Sequence, residues 1–268
     1  MKIIDAHFHY NFASEGFNKI AVEAGHLNTR EHLLDAFEKN GVVHGIVMGN
    51  NNIDTDLADF PDCLSYCVGV DQQALNGDQD ASLARVESHL QRNNCVGVKL
   101  YPGYSRIYIT DRRLDPYYLL AQKYDKPVAI HTGATASSNA LLKYSHPLEL
   151  DELAVNFPKV RFVMCHMGNP WLQDAGAVLE KNANVNADLS GLLVGRLPIE
   201  FYEEHNSYLT ILRSWVEYVD DYSNFMYGTD WPLVNISDYI DFISRVIPEK
   251  HHKAIFFDNA NRIYQLGL

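Results

Sequence analysis

The sequence predicts a single-domain α/β fold, the (β/α)8 or TIM barrel, and three observations carry the prediction. The chain has 268 residues, just above the roughly 250 of one such barrel. Eight short apolar runs rich in β-branched residues recur along it, at 3–8, 43–48, 64–70, 96–100, 127–131, 161–165, 185–189 and 225–227. Segments of helical spacing separate them, the alternation that builds a parallel sheet covered on both faces.

Taken in order, the run at 3–8 is followed by a helix that Asn28 or Thr29 can cap. That helix has Leu33, Leu34 and Phe37 on one face and Gly41 just past its end. The weakest crossover is 50–62, with room for only a short helix after the second run. Leu83, Val86 and Leu90 mark the helix before the fourth run. Asp115 and Pro116 form a cap and first-turn pair for a helix with Leu119 and Leu120 facing inward. Pro147 opens a helix with Leu150, Leu153, Ala154 and Phe157 that Pro158 closes. Leu209, Leu212, Val216 and Val219 make a long helix before the eighth run, and Tyr239, Ile240, Ile243 and Ile247 the next one. An open doubly wound sheet would need a glycine-rich phosphate turn after its first strand, where His7-Phe8-His9 stands instead.

Composition narrows the class further. With 22 Lys plus Arg against 34 Asp plus Glu, the net charge is −12. That argues against the phosphate-neutralising basic face of a nucleic-acid-binding protein. No run approaches the roughly 18 apolar residues of a membrane span, and Asp5 and His7 interrupt any signal-peptide core. The expectation is a cytoplasmic protein acting on a small molecule, with neither membrane nor nucleic acid as partner and homo-oligomerisation left open. The 4 Cys contain no Cys-x-x-Cys pair and read as reduced, mostly buried thiols. The 12 His are the unusual feature.

A barrel enzyme places its site at the C-terminal ends of its strands, and those ends are not random here. His7 and His9 end the first run, Lys99 the fourth, His131 the fifth, His166 the sixth and Asp230 the eighth. Two histidines two apart on a strand share a face and can meet one ion. A single strand-end histidine is more often a hydrogen-bonded core residue, but four on three strands of one barrel would converge. Asp5 shares the parity of His7 and His9 and lies deeper, which fits a structural role. Asp230, framed by Trp231 and Pro232, can ligate a metal through one oxygen and accept a proton from metal-bound water. Lys99 has three outcomes open: a carbamate bridging two metals, a cation holding a substrate carboxylate, or a partner for a barrel acid. The remaining histidines, His26, His32, His44, His89, His146, His205, His251 and His252, read as ordinary surface or capping residues.

This set resembles the amidohydrolase superfamily, in particular its branch of predicted metal-dependent hydrolases of the TIM-barrel fold, which also contains decarboxylases. The likeness covers nearly the whole chain. It is carried by Val98-Lys99-Leu100-Tyr101-Pro102, by His146-Pro147 leading to Asn156-Phe157-Pro158, and by His166-Met167-Gly168-Asn169-Pro170-Trp171. Tyr227-Gly228-Thr229-Asp230-Trp231-Pro232 and Asn259-Ala260-Asn261-Arg262-Ile263-Tyr264 complete it. The resemblance implies a divalent metal, usually Zn²⁺, with Asp230 as proton acceptor. In a two-metal arrangement His7, His9, carbamylated Lys99 and Asp230 hold one ion, and Lys99, His131 and His166 the other. In a one-metal arrangement His7, His9, His131 and Asp230 hold the ion and His166 acts on the substrate.

Substrate contacts are expected from strand-to-helix loops: Tyr101, Tyr104 and Arg106 after the fourth strand, Asn169 and Trp171 after the sixth, Arg196 after the seventh. A guanidinium there can clamp a carboxylate, and the aromatic residues suit a flat or apolar body. The leading expectation is metal-dependent hydrolysis of an amide, lactone or ester in a small anionic substrate, with Asp230 as general base. The alternatives are a metal-dependent decarboxylase and, in another class, a metal-binding barrel without turnover.

Overall fold

The computed structural model describes residues 1–50, 60–70 and 75–268. The helix expected in the crossover at 50–62 falls mainly on 51–59, outside the described residues. Eight strands form the sheet: β1 (Ile3–Phe8), β2 (Val42–Met48), β3 (Leu64–Gly69), β4 (Cys95–Leu100), β5 (Val128–His131), β6 (Phe162–Cys165), β7 (Val185–Asp188) and β8 (Phe225–Met226). They pair in sequence order, every pair parallel. Closure between the first and last strands is made by backbone bonds, Ala6 N to Tyr227 O at 3.0 Å, Asp230 N to His7 O at 2.8 Å and His9 N to Trp231 O at 2.9 Å. These same bonds fix the two segments that carry His7, His9 and Asp230.

Around the barrel lie α1 (Glu15–Glu23), α2 (Arg30–Asn40), α3 (Gln79–Leu90), α4 (Asp115–Lys123), α5 (Glu149–Asn156), α6 (Leu172–Lys181), α7 (Ile199–Glu204), α8 (Asn206–Val219) and α9 (Ile236–Val246), with α10 (Asn259–Ile263) near the C-terminus. Every strand residue except Val43 is buried, which is why the runs read as continuously apolar. Two apolar clusters divide the core. One joins strand side chains to the flanking helices, for example Phe8 to Leu33 and Phe37. The other holds Ile4, Ala6, Ile46, Cys67, Val96, Ala129, Val163 and Met226 and takes nothing from α1 to α9, so it fills the barrel itself.

The capping question at α2 is resolved by chemistry. Thr29 Oγ1 accepts from His32 N at 3.2 Å, and Gly41, at φ +72°, ends the helix in the left-handed region. Asn28 instead donates to Asn11 O and Asn18 Oδ1. At α4 the reading needs correction. Leu119 is 54% exposed, while Tyr117, Tyr118 and Ala121 turn inward. The tyrosines bury more apolar surface than the leucines, and each hydroxyl finds a partner, Tyr118 with Ile109 O and Tyr117 with Ser82 Oγ. Asp115 is the first residue of that helix rather than its cap. A second correction concerns histidines read as surface residues: His26, His44 and His89 are buried. Burial is tolerated because each ring has a polar partner, His44 with Ser65, His89 with Tyr66 and His26 with His32.

Candidate active site

The strand-end residues converge. His9, His131, His166 and Asp230 line one cavity of about 360 Å³, together with Tyr101 and Tyr104. His7 lies buried behind them, its ring 4.7 Å from that of His166 and 5.9 Å from that of His9. Lys99 is fully buried, does not line the cavity, and donates through Nζ to Cys165 Sγ at 2.8 Å.

The backbone is bent to present these groups. His166 at φ +62° and Asp230 at φ +57° both occupy the left-handed region, at a cost of about 1–3 kcal/mol each. Hydrogen bonds hold them there: Asp230 N to His7 O at 2.8 Å, and His166 N to Asp188 Oδ1 at 2.9 Å. Gly191, at φ +59°, passes so close that a Cβ would stand 2.8 Å from His166 Nδ1 and 2.9 Å from Asp230 Oδ2. A side chain at that position would collide with two of the site's polar groups.

Asp188, at the end of β7, is the functional residue that sequence reasoning missed. It is fully buried and accepts from His7 Nδ1 at 2.8 Å, from His166 N and from Ser190 Oγ at 2.5 Å. Burial alone would raise its pKa, but His7, His166 and Lys99 outweigh that and hold the carboxyl well below the usual range. An ionised Asp188 fixes the His7 tautomer: Nδ1 carries the proton, so Nε2 presents a lone pair. Burial lowers the pKa of His7 to about 4, against the opposing pull of Asp188, so the ring is neutral at pH 7.

That lone pair faces trouble unless a cation intervenes. His7 Nε2 is buried without a hydrogen-bond partner, and so is Asp230 Oδ1, 3.5 Å away. His9 Nε2 stands 3.2 Å from the same oxygen. Burial opposes ionisation of Asp230, yet His166, His9 and His7 together hold it below the ordinary carboxylate range. Two acceptors facing each other in a dry site repel, and a divalent ion held by them and His9 would relieve this. Ligand atoms of His7, His9 and Asp230 lie within 4.8 Å of one another, and the donor set of imidazole nitrogen and carboxylate oxygen suits Zn²⁺ or Mn²⁺. The residues therefore fit the group.

His131 and His166 bond each other. His131 Nε2 lies 3.0 Å from Ala134 O, which can only accept, so its Nδ1 takes the bond from His166 Nε2 at 3.1 Å. His166 Nδ1 continues the chain to Ser190 Oγ at 2.9 Å and so to Asp188. Burial, followed by the charges of His166 and Lys99, pushes the pKa of His131 far down. Asp5 is structural in geometry: it accepts from Thr229 N and Thr229 Oγ1, beside Asp230, and burial raises its pKa to about 7.

The expected substrate contacts divide. Tyr101 and Tyr104 flank His131, ring centroids 6.0 and 5.1 Å away, and the buried Tyr101 hydroxyl has no partner. Arg106, Asn169, Trp171 and Arg196 do not line the cavity. Arg106 is exposed and donates to Asn139 O, Arg196 pairs with Asp238 at 2.6 Å, Asn169 accepts from Tyr208, and Trp171 packs on His146. The remaining lining is Phe17, Ile20, Asn50, Ala136, Ser137 and Leu233, residues with no chemical signature in the sequence.

A family model described as amidohydrolase matches residues 4–266. The chain belongs to the amidohydrolase family. Its match to the fungal protein fluG of Emericella nidulans is 29% identical over 163 residues, 53% of this chain, and the chain spans only 18% of that protein. Solved structures share the barrel at low identity. An uncharacterised TIM-barrel protein of Bordetella bronchiseptica superposes with a TM-score of 0.75 at 19% identity, covering 100% of both chains. A dihydroxybenzoic acid decarboxylase of Polaromonas, with bound manganese and 2-nitroresorcinol, gives 0.71 at 16% identity over 100% of this chain and 98% of that one. A probable 2-pyrone-4,6-dicarboxylic acid hydrolase of Acinetobacter baumannii gives 0.64 at 16%, over 99% and 100%. Amidohydrolase membership and the strand-end cluster together identify the cavity as the candidate active site.

Proposed function

We propose that this amidohydrolase family member is a metal-dependent hydrolase of an amide, lactone or ester in a small molecule, with Asp230 as general base. The observation that carries the reading is the convergence of partnerless His7 Nε2 and Asp230 Oδ1 with His9 at the floor of a small cavity. His7, His9 and Asp230 would hold a divalent ion, Zn²⁺ or Mn²⁺, which would supply Lewis acidity toward a carbonyl and acidify water. Asp230, held ionised, accepts the proton of the attacking water and returns it to the leaving group. Burial keeps the Tyr101 phenol protonated, and with no partner its hydroxyl is free to donate to the substrate oxygen on which charge develops. His166, held by Ser190 and His131, borders the same space. Lys99 donates to Cys165, and His131, expected among the ligands of a one-metal site, has its ring nitrogens bonded to Ala134 O and His166 Nε2, so the proposed ligands are His7, His9 and Asp230 alone.

The second reading is decarboxylation, favoured by the aromatic side chains of Tyr101, Tyr104 and Phe17 at the cavity and by decarboxylases among the structural relatives. There the bond to a carboxylate breaks, CO₂ leaves and the ring carbon takes a proton. A panel of aryl esters, lactones, amides and carboxylated phenols, run in ¹⁸O-labelled water with the metal-loaded protein, separates the two. Hydrolysis places ¹⁸O in the product and releases no CO₂. Release of CO₂ from the carboxylated phenols without label uptake overturns the hydrolase reading. Intact mass should show Lys99 without a 44 Da adduct, the mass of one CO₂.

A further inference from the structure

The cavity is lined by His9, His131, His166 and Asp230 together with the apolar Phe17, Ile20 and Leu233 and the neutral polar side chains of Asn50 and Ser137. Its one formally charged side chain among the described residues is Asp230. No Lys or Arg lines it, and the segments 51–59 and 71–74 contain no Lys, Arg or His in their sequence, only Asp among charged types. The cations expected to receive a carboxylate are committed elsewhere, Lys99 to Cys165, Arg106 to Asn139 O and Arg196 to Asp238.

We infer that the substrate reacts through one carbonyl or carboxylate at the floor and carries no further charged group on its body, so that a second carboxylate is excluded. The inference rests on the cavity being the active site and deepens that reading by naming the substrate class. A cation at the floor serves one carbonyl or carboxylate. A second carboxylate would meet Phe17, Ile20 or Leu233, or the neutral side chains of Asn50 and Ser137, with no cation among the lining residues to replace the water it loses, which is costly. A methyl or ethyl group in the same place gains from leaving water. A volume of about 360 Å³ is near the lower limit of small-molecule pockets, about 300–1,000 Å³, and suits a one-ring body.

The test is equilibrium binding by calorimetry to the Mn²⁺-loaded protein, with benzoate, 4-ethylbenzoate and terephthalate as probes. The ethyl group should tighten binding about tenfold over benzoate, since each buried methylene is worth roughly fourfold. Terephthalate should bind about 100-fold more weakly than 4-ethylbenzoate. Ile20→Arg, which puts a guanidinium at the half-buried wall, should tighten terephthalate by about tenfold or more and weaken 4-ethylbenzoate; Leu233→Arg makes the same test if the first variant does not fold. Terephthalate binding as tightly as 4-ethylbenzoate in the unaltered protein, or no binding of any probe, overturns the inference. Because the readout is binding, a reversed order alongside intact hydrolysis overturns this inference alone. The expected order without turnover of any ester, lactone or amide overturns the proposed reaction and leaves the substrate class standing.

Discussion

Two pairs of histidines in this molecule have the same contact distance and opposite surroundings. His131 and His166 approach to 3.1 Å at the cavity, and so do His26 and His32 beneath Trp231. In the second pair the polar atoms of His26 are matched: Nε2 accepts from Ile236 N at 3.3 Å, Nδ1 meets His32, and the Trp231 ring covers the pair at 4.3 and 6.0 Å. The first pair stands beside His7 Nε2, an acceptor with nothing to accept from, and Asp230 Oδ1, which has only the His9 ring at 3.2 Å and no aligned donor. Proximity of imidazoles therefore does not mark a site. Unmatched lone pairs converging on one point do, because a buried acceptor without a donor persists only where something else binds.

The two pairs differ most in their dependence on Asp188. Asp188→Asn keeps the shape but removes the charge that sets the His7 tautomer, and divalent-metal affinity measured by calorimetry should fall about 10–100-fold. Unchanged affinity would mean that His7 needs no partner to present Nε2. A smaller effect is expected in the sealed pair. Burial, then His32, lowers the pKa of His26 to about 4, against about 6.5 in an unfolded chain. Between those values the unfolded chain binds more protons, so the His26 contribution to stability is present above pH 6.5 and is lost as pH falls to 4. His26→Gln should leave metal affinity unchanged and flatten the fall in Tm across that window; parallel Tm profiles would contradict it. The smallest effect belongs to neither pair: Leu119→Glu, on the exposed side of α4, should change stability by no more than about 0.5 kcal/mol in urea unfolding.

Most of the barrel could be read from the sequence because parallel strands buried on both faces leave unbroken apolar runs, and the strand ends follow from them. His7, His9, His131, His166 and Asp230 were found that way. Asp188 carries the same signal, a carboxylate closing a strand, but Leu189 continues the apolar run and masks the boundary. Leu119 misled because helical spacing alone cannot choose between adjacent faces when Tyr117 and Tyr118 compete for the interior. Arg106 and Arg196 were attractive as carboxylate clamps by position, yet Asn139 O and Asp238, distant in sequence, claim them. Phe17, Ile20 and Leu233 offer no chemistry to read, and only the folded chain gathers them around the cavity.

In the proposed site His7, His9 and Asp230 together hold a divalent metal. Calorimetric titration of the metal-free protein with Mn²⁺ and Zn²⁺, beside His7→Asn, His9→Asn and Asp230→Asn, tests it most directly. One ion per chain is expected and, for each substitution, a loss of affinity of at least about 100-fold, beyond that expected for a residue behind the ligands. Unaltered stoichiometry and affinity in all three variants would contradict it.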